Sequence, residues 1–166
     1  MALTPGDFLG MLAAQGGGLS RDFAFRVTNI TMAGQFIGGN DMLYAKAASV
    51  PGRNIDNMVA YSYGQEFNLG GAVRYHDAAS YPIEFWCDAG GGVRATLEGM
   101  SKGQFDWGTQ TAGVGVGGTV ILQQLGGKTY KLKGAEIRDI GPINYLIDGT
   151  AEVVTFTTTF AYQWYE

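Results

Sequence analysis

The residues that chemistry would need are few in this sequence and far apart. His76 is the only histidine, and it stands beside Asp77. A lone imidazole cannot build a zinc site without cysteine or histidine partners at ligand spacing. A His76–Asp77 pair serving Ser62 or Ser80 lacks the strand–turn–helix motif that presents a nucleophile, so a solvated loop histidine is the simpler reading. Gly113-Val114-Gly115-Val116-Gly117-Gly118 spells G-x-G-x-x-G. A dinucleotide site sets those glycines between a strand and a helix, whereas here the β-branched run Thr119-Val120-Ile121 follows. Gly127-Lys128-Thr129 ends like a phosphate-binding loop, but Leu122 stands where the first glycine is required, and the segment reads as a hairpin turn with an exposed lysine. Aspartates and glutamates are scattered singly, with no glycosidase-like pair to be read. Cys87 is the only cysteine, which excludes an internal disulfide, and its neighbours Phe85 and Trp86 suggest a buried, inert thiol. The expectation is a chain with no catalytic residue, no metal ligand and no cofactor.

The elements that would position any site are strands. Thr150 to Glu166 places Val154, Phe156, Phe160, Tyr162 and Trp164 on one parity, interrupted only by Thr158. That two-residue alternation predicts one long strand with an aromatic face on a core. Arg21–Ile30, Asp41–Val50, Arg53–Tyr63, Gln65–Leu69 and Tyr81–Asp88 read as further strands, with Gly64 supplying a turn. Val93–Lys102 reads as the one internal helix, with Val93, Leu97 and Met100 inward and Arg94, Glu98 and Lys102 outward. Gln104–Gly118 reads as a glycine-rich loop, and Thr119–Leu125 with Lys128–Asp139 as a hairpin. Before all of these, Thr4-Pro5-Gly6-Asp7 has the capping chemistry of a short helix carrying Phe8, Met11 and Leu12 on one face, ended by Gly16-Gly17-Gly18. Residues 1–19 therefore read as a helical arm on a glycine tether, docking on a neighbour or folding back, and residues 20–166 as one all-β domain, a sandwich or small barrel with one packed helix.

Composition narrows the function classes. Charged residues are 16% of the chain, well below the roughly 25% of ordinary soluble domains. A surface so poor in charge suits a subunit that buries much of its outside. The net charge of −4 and the lack of a basic stripe argue against nucleic-acid binding. Neither a charged-then-apolar leader nor an apolar run of membrane-spanning length is present. The expectation is a protein made and soluble in the cytoplasm, without a membrane anchor, in which the sequon Asn29-Ile30-Thr31 has no reason to be glycosylated. A long strand of aromatic and β-branched residues also demands partners on both edges.

The order of features from about Ser20 onward resembles the tail tube proteins of contractile-tailed bacteriophages. The resemblance rests on Phe23-Ala24-Phe25-Arg26-Val27 and on Ala48-Ser49-Val50-Pro51-Gly52-Arg53. It rests also on Ile83-Glu84-Phe85-Trp86 before a short helix, on the hairpin Lys128-Thr129-Tyr130-Lys131-Leu132-Lys133-Gly134-Ala135, and on the final Glu152-to-Glu166 strand. The N-terminal helix and the Gln104–Gly118 loop depart from the pattern. The resemblance implies a two-sheet β fold assembled into hexameric rings that stack as a hollow tube, the conduit for DNA ejection. Related tubes serve type VI secretion and other contractile injection systems. It implies as partners further copies of the chain, the tail sheath protein, the tape measure protein, a baseplate tube initiator, and double-stranded DNA in transit without specific binding. The location implied is the virion tail, assembled in the host cytoplasm. Carried onto these residues, Ser49, Val50, Pro51, Gly52, Arg53 and Asn54 would contact the adjacent ring, and Arg94, Glu98 and Lys102 would face the sheath.

Six copies of a −4 subunit give about −24 per ring, which would keep DNA from adhering to a pore wall. Asp56, Glu66 and Glu84 suit such a lumen; Lys46 and Arg53 do not. Glycine-rich Gln104–Gly118 would order when an adjacent ring arrives. Two other classes compete with the phage tube and its secretion-system counterpart. A ligand-binding barrel would enclose a pocket lined by Phe156, Phe160 and Trp164, and an enzyme would use His76 and Asp77.

Overall fold

The structure, a computed structural model, describes residues 25–63, 65–76, 78–106, 108, 110–112, 117–124, 127–143, 145 and 153–166. Phe8, Met11, Leu12 and the rest of the N-terminal arm lie outside them, as do Gly64, Asp77 and most of the Gly113–Gly118 motif. The described chain forms β1 (Phe25–Met32), β2 (Gln35–Gly38), β3 (Ala45–Ala48), β4 (Gly52–Ser62), β5 (Gln65–His76) and β6 (Tyr81–Trp86). A single α-helix, α1 (Gly92–Gln104), is followed by β7 (Phe105–Asp106), β8 (Thr111–Ala112), β9 (Gly118–Gln124), β10 (Thr129–Ile140), β11 (Thr155–Ala161) and β12 (Trp164–Tyr165). The fold is an all-β sandwich of two antiparallel sheets with one short helix.

One path of pairing, β2-β1-β9-β10-β11-β6-β3, runs through both sheets, with β12 alongside β10. The path folds over on itself within β10. Residues Thr129–Ala135 pair with β9, and Glu136–Ile140 pair with β11. The turnover falls at Gly134, whose φ of +64° opens a bulge between Lys133 and Ala135. An L side chain would be strained at that angle, and its Cβ would lie 2.9 Å from the Gln163 side chain.

The two inner faces meet in a dry core. Val27, Ile30, Met32, Val120, Leu122 and Leu132 come from one sheet, and Tyr81, Ile83, Phe85, Ile137, Phe156 and Phe160 from the other. Phe85 stacks on Phe156 with ring centroids 5.5 Å apart. The Phe156–Phe160 face is thus filled by protein rather than lining a pocket for a ligand. Helix α1 packs Val93, Leu97 and Met100 into the same core, against β2 and β10, as its periodicity demands. Its first turn is capped by Asp88, which accepts from the Gly92 and Val93 amides (2.8 and 3.4 Å).

Several sequence expectations change. Asp41–Val50 is not one strand: Gly39–Tyr44 is a 3-10 turn that buries Met42 and exposes Leu43, and only Ala45–Ala48 pairs. The Gly39-Asn40-Asp41 run favours the turn over β-geometry. Gln65–Leu69 extends to His76, because Gly70–Ala72 makes a bulge instead of ending the strand. His76 therefore ends a strand opposite Gly52 rather than sitting in a loop. The Gln104–Gly118 loop contains the small β7–β8 pair. The terminal strand breaks at Tyr162–Gln163, so β12 restarts out of phase with β11. Trp164 consequently faces out, 43% exposed, instead of joining Phe156 and Phe160.

Candidate assembly surfaces

Among the described residues no group of three or more His, Cys, Asp or Glu side chains converges as a metal site would require. No helix of the described structure is long and apolar enough to cross a membrane. The feature that stands apart is the β4–β5 hairpin. Among the described residues its strands, of 11 and 12 residues, pair only with each other and form a sheet of their own. Eleven residues of strand reach about 35 Å.

Two-residue periodicity sorts the hairpin's faces. One carries Met58 and Ala60 on β4 with Leu69 directly across from Met58. The other carries Arg53, Ile55, Val59 and Tyr61, with Val73 opposite Ile55 and Glu66 opposite Tyr61. Neither face is covered by the described residues: Ile55, Met58, Val59, Tyr61, Tyr63, Leu69 and Val73 are all exposed. An isolated two-stranded ribbon is marginal in water, and exposing apolar residues on both faces is a poor end state for it.

Among the described residues only the base is fastened. The Tyr81 hydroxyl donates to the Ser49 carbonyl just before β4, and burial pushes the Tyr81 phenol well above the ordinary tyrosine range. At the far end of β5, the Tyr75 ring meets Tyr165 edge-on at 5.0 Å and Tyr162 at 6.3 Å. Tyr165 in turn touches Tyr130 at 6.0 Å, and Tyr162 touches Tyr81 at 5.8 Å. The last residues of the chain hold this cluster in place. Gln163 donates to the Lys133 carbonyl (2.9 Å), Lys131 to that of Glu166 (2.9 Å), and Glu166 back to that of Lys131 (3.2 Å). The Glu166 carboxylate lies 3.5 Å from the Lys133 ammonium. The hairpin thus hangs from a tyrosine cluster that a two-residue strand clips to β10.

The six residues expected at a ring contact lie at this base. Ser49 is the hydrogen-bonded carbonyl, Val50 is exposed, Pro51 is buried, and Gly52, Arg53 and Asn54 are the first pairs of β4, opposite His76, Tyr75 and Arg74. The more exposed apolar surface lies further out, beyond what the Ala48–Arg53 motif signals. It follows from β5 matching β4 in length, which carries the ribbon well past its base.

The residues expected to give the lumen its charge are less free than the sequence implies. Glu84 lies 2.8 Å from the Lys46 ammonium, whose hydrogen bond holds the Glu84 carboxyl below its ordinary range. Asp56 is paired with Arg74 across the hairpin. Glu66, near the hairpin tip, makes no ion pair among the described residues. The β6–β11 outer face is otherwise neutral: Thr155, Thr157 and Thr159 register with Trp86, Glu84 and Pro82.

On the helix, Arg94 is not simply an outer residue. Its Nε donates to Glu98 at 2.8 Å, Nη1 donates to the Gly141 carbonyl at 2.8 Å, and its guanidinium lies 5.5 Å from the Phe156 ring centroid. It staples the helix to the sandwich and pairs with the half-exposed Glu98, which leaves Lys102 as the outer charge of the three without an ion pair among the described residues. Cys87 is half-exposed rather than buried, with its Sγ 3.6 Å from the Tyr145 hydroxyl. That contact pushes the Tyr145 phenol above its ordinary range.

No known protein family and no curated protein matches the sequence. Solved structures do match in fold. A chain of the anti-feeding prophage baseplate, from a 6-fold symmetrised cryo-EM structure, aligns with a TM-score of 0.57 and 15% identity over 90% of this chain and 93% of that one. A chain of an extracellular contractile injection system, the PVC sheath–tube complex in its extended state, aligns with a TM-score of 0.56 and 11% identity over 99% and 97%. One from the PVC sheath/tube terminator gives 0.54 and 11% over 90% and 96%. At these identities the likeness is one of fold, and it runs the length of the chain: this is the fold of contractile tail tube and baseplate-type components.

Proposed function

We propose that the chain is a structural subunit of a contractile tail-type assembly, a non-enzymatic protein whose rings of six stack into the hollow inner tube. The observation that carries this reading is the β4–β5 hairpin, a ribbon with apolar residues exposed on both faces and no partner within the described chain. Such a surface is stable in a subunit whose neighbours cover it. The shared fold with sheath–tube and baseplate chains supports the reading.

In this reading the hairpin and its base, from Ser49 to Asn54, meet the adjacent ring. Glu98 and Lys102 face the sheath, with Arg94 acting through its hold on the helix. The N-terminal arm with Phe8, Met11 and Leu12 docks on a neighbour. Glu66 adds net charge to the lumen more effectively than Asp56 or Glu84, whose partners offset them. The tape measure protein sets the tube length, the baseplate initiator seeds it, and double-stranded DNA passes without specific contact in a phage tail. A second reading places the same tube in a contractile injection system. It is favoured by the neighbours, which come from the anti-feeding prophage and PVC particles.

Electron microscopy of the purified protein, concentrated with and without a baseplate seed, tests the proposal. Hollow tubes or six-membered rings are the expected result. A monodisperse particle under both conditions overturns it.

A further inference from the structure

Resting on the tube reading, we infer that the lumen is walled by the outer face of β3, β6, β11 and the end of β10, a threonine row set between ion pairs that cancel. Register puts these side chains on one surface. Asp139, Thr159 and Pro82 lie side by side across β10, β11 and β6. Thr157, Glu84 and Ala47 do so across β11, β6 and β3, and Thr155 lies beside Trp86. The alternate residues Ile83, Phe85, Phe156, Thr158 and Phe160 are buried in the core, so this set points outward. Thr157 and Ala47, at its centre, are exposed.

The sandwich has a second broad outer face, and charge separates the two. On the threonine face Lys46 lies 2.8 Å from Glu84, and Arg138 lies 3.4 Å from Glu136. Asp139 has no ion pair among the described residues, so this face keeps one net negative charge. The other face, on β1, β9, β10 and β12, carries Arg26, Lys131 and Lys133. They lie outward because Val27, Val120, Leu122 and Leu132 are buried. Arg26 donates to the neutral Gln123 at 2.8 Å, and the Glu166 carboxylate lies 4.0 Å from Lys131 and 3.5 Å from Lys133. Three cations thus meet one side-chain acid. The same face exposes Phe36 and Trp164, in register with Thr31 and Lys133.

A tube wall has to let a long polymer slide. Six copies of the cationic face would line a ring with about twelve excess positive charges, which hold acidic polymers, DNA among them. Six copies of the threonine face give a wall whose ion pairs close locally and whose slight negative excess repels them. Its central side chains are short hydroxyls and methyls, which stay wet and leave the bore smooth. Its exposed aromatic, Trp86, stands at the border, where β6 ends. Exposed aromatics such as Phe36 and Trp164 on the other face suit a protein contact instead.

Thiol labelling of assembled tubes tests the assignment. Thr157→Cys and Lys131→Cys are each made in a Cys87→Ser background, which removes the only native thiol. Tubes and free subunits are treated with N-ethylmaleimide or with a maleimide on a bulky dextran, then dissociated and resolved on denaturing gels. In tubes Thr157→Cys should react fully with the small reagent and not with the bulky one, whereas in free subunits it should react with both. Where Thr157→Cys prevents assembly, Thr159→Cys on the same face takes its place. Reaction with both reagents in tubes puts the threonine face outside and overturns the inference. Reaction with neither means that a neighbouring subunit covers it, which overturns it equally. Small-reagent-only labelling at Lys131→Cys assigns the lumen to the cationic face. In all three cases tubes exist and the tube reading stands. Failure of the Cys87→Ser parent to form tubes, with or without a baseplate seed, removes that reading and this inference together.

Discussion

Strands β5 and β10 are each 12 residues long, and they meet different fates. β10 has β9 along one edge and β11 and β12 along the other, and it buries Leu132, Ala135 and Ile137 in the common core. Among the described residues β5 has a partner on one edge only, and it leaves Leu69 and Val73 half in water. Both carry β-branched and aromatic residues, so composition does not separate them. What separates them is cover. β10 contributes to the stability of one subunit; β5 has no cover among the described residues, and in the proposed assembly another subunit completes it. On the proposed reading, folding and assembly are written on different parts of this chain and can be altered independently.

The largest expected effect breaks the comparison from the core side. Phe160→Ala removes a fully buried ring and should cost about 3–5 kcal/mol in denaturant unfolding. Met58→Ser, on the hairpin, should change stability by less than about 0.5 kcal/mol while abolishing assembly by sedimentation. Equal loss of stability in the two would show the hairpin to be part of the fold's own core.

The clip at the base is the next test. Tyr165→Ala loses edge contacts to Tyr75 and Tyr130, worth about 1–2 kcal/mol together. Amide exchange should quicken at Arg53–Ile55 and Val73–Tyr75 and stay slow in β9 and β10. Uniform acceleration through the sandwich would mean that β12 stabilises the whole domain rather than the hairpin's setting.

Thr158 sharpens the comparison in the opposite direction. It occupies a fully buried core position of β11, and its hydroxyl has no hydrogen-bond partner among the described residues. Thr158→Val exchanges that hydroxyl for a methyl of similar shape and should raise stability by about 1 kcal/mol, read as a higher midpoint with an unchanged m-value. A drop in stability would indicate a bound water satisfying the hydroxyl.

The smallest effect is electrostatic. Hydrogen bonding to Lys46 lowers the Glu84 pKa in the folded state. Its contribution is therefore present above the ordinary glutamate value and lost as the pH falls through the lowered one. Both groups are substantially exposed, so Lys46→Ala should cost well under 1 kcal/mol at neutral pH and flatten the acid limb of the stability curve. A pH profile identical to the parent would mean that solvent and salt already screen the pair.

Much of the sandwich is legible in the sequence because strand and helix periodicity are local. The Tyr81–Ile83–Phe85 parity and the Val93–Leu97–Met100 stripe bury as their spacing requires. Phe156 and Phe160 do so too, but the same alternation misplaces Trp164. Whether a strand continues through Tyr162–Gln163 depends on β10, some 30 residues earlier in the chain. The candidate site was less legible. Glycines 70 and 71 read as a strand end, and only the presence of β4 alongside turns them into a bulge. Nothing local marks Glu84 and Asp56 as neutralised, since Lys46 and Arg74 reach them across strands.

By itself, then, the sequence determined the class: β-strands of period two, an internal amphipathic helix and a charge-poor composition. These follow from backbone geometry and composition, which act within a few residues. The tertiary structure alone decided where the sheet turns over at Gly134, which charges cancel, which aromatic leaves the core, and that a whole hairpin stands clear of it. Each of those depends on a partner brought from elsewhere in the chain, and the position of a strand's partner is not a property of the strand.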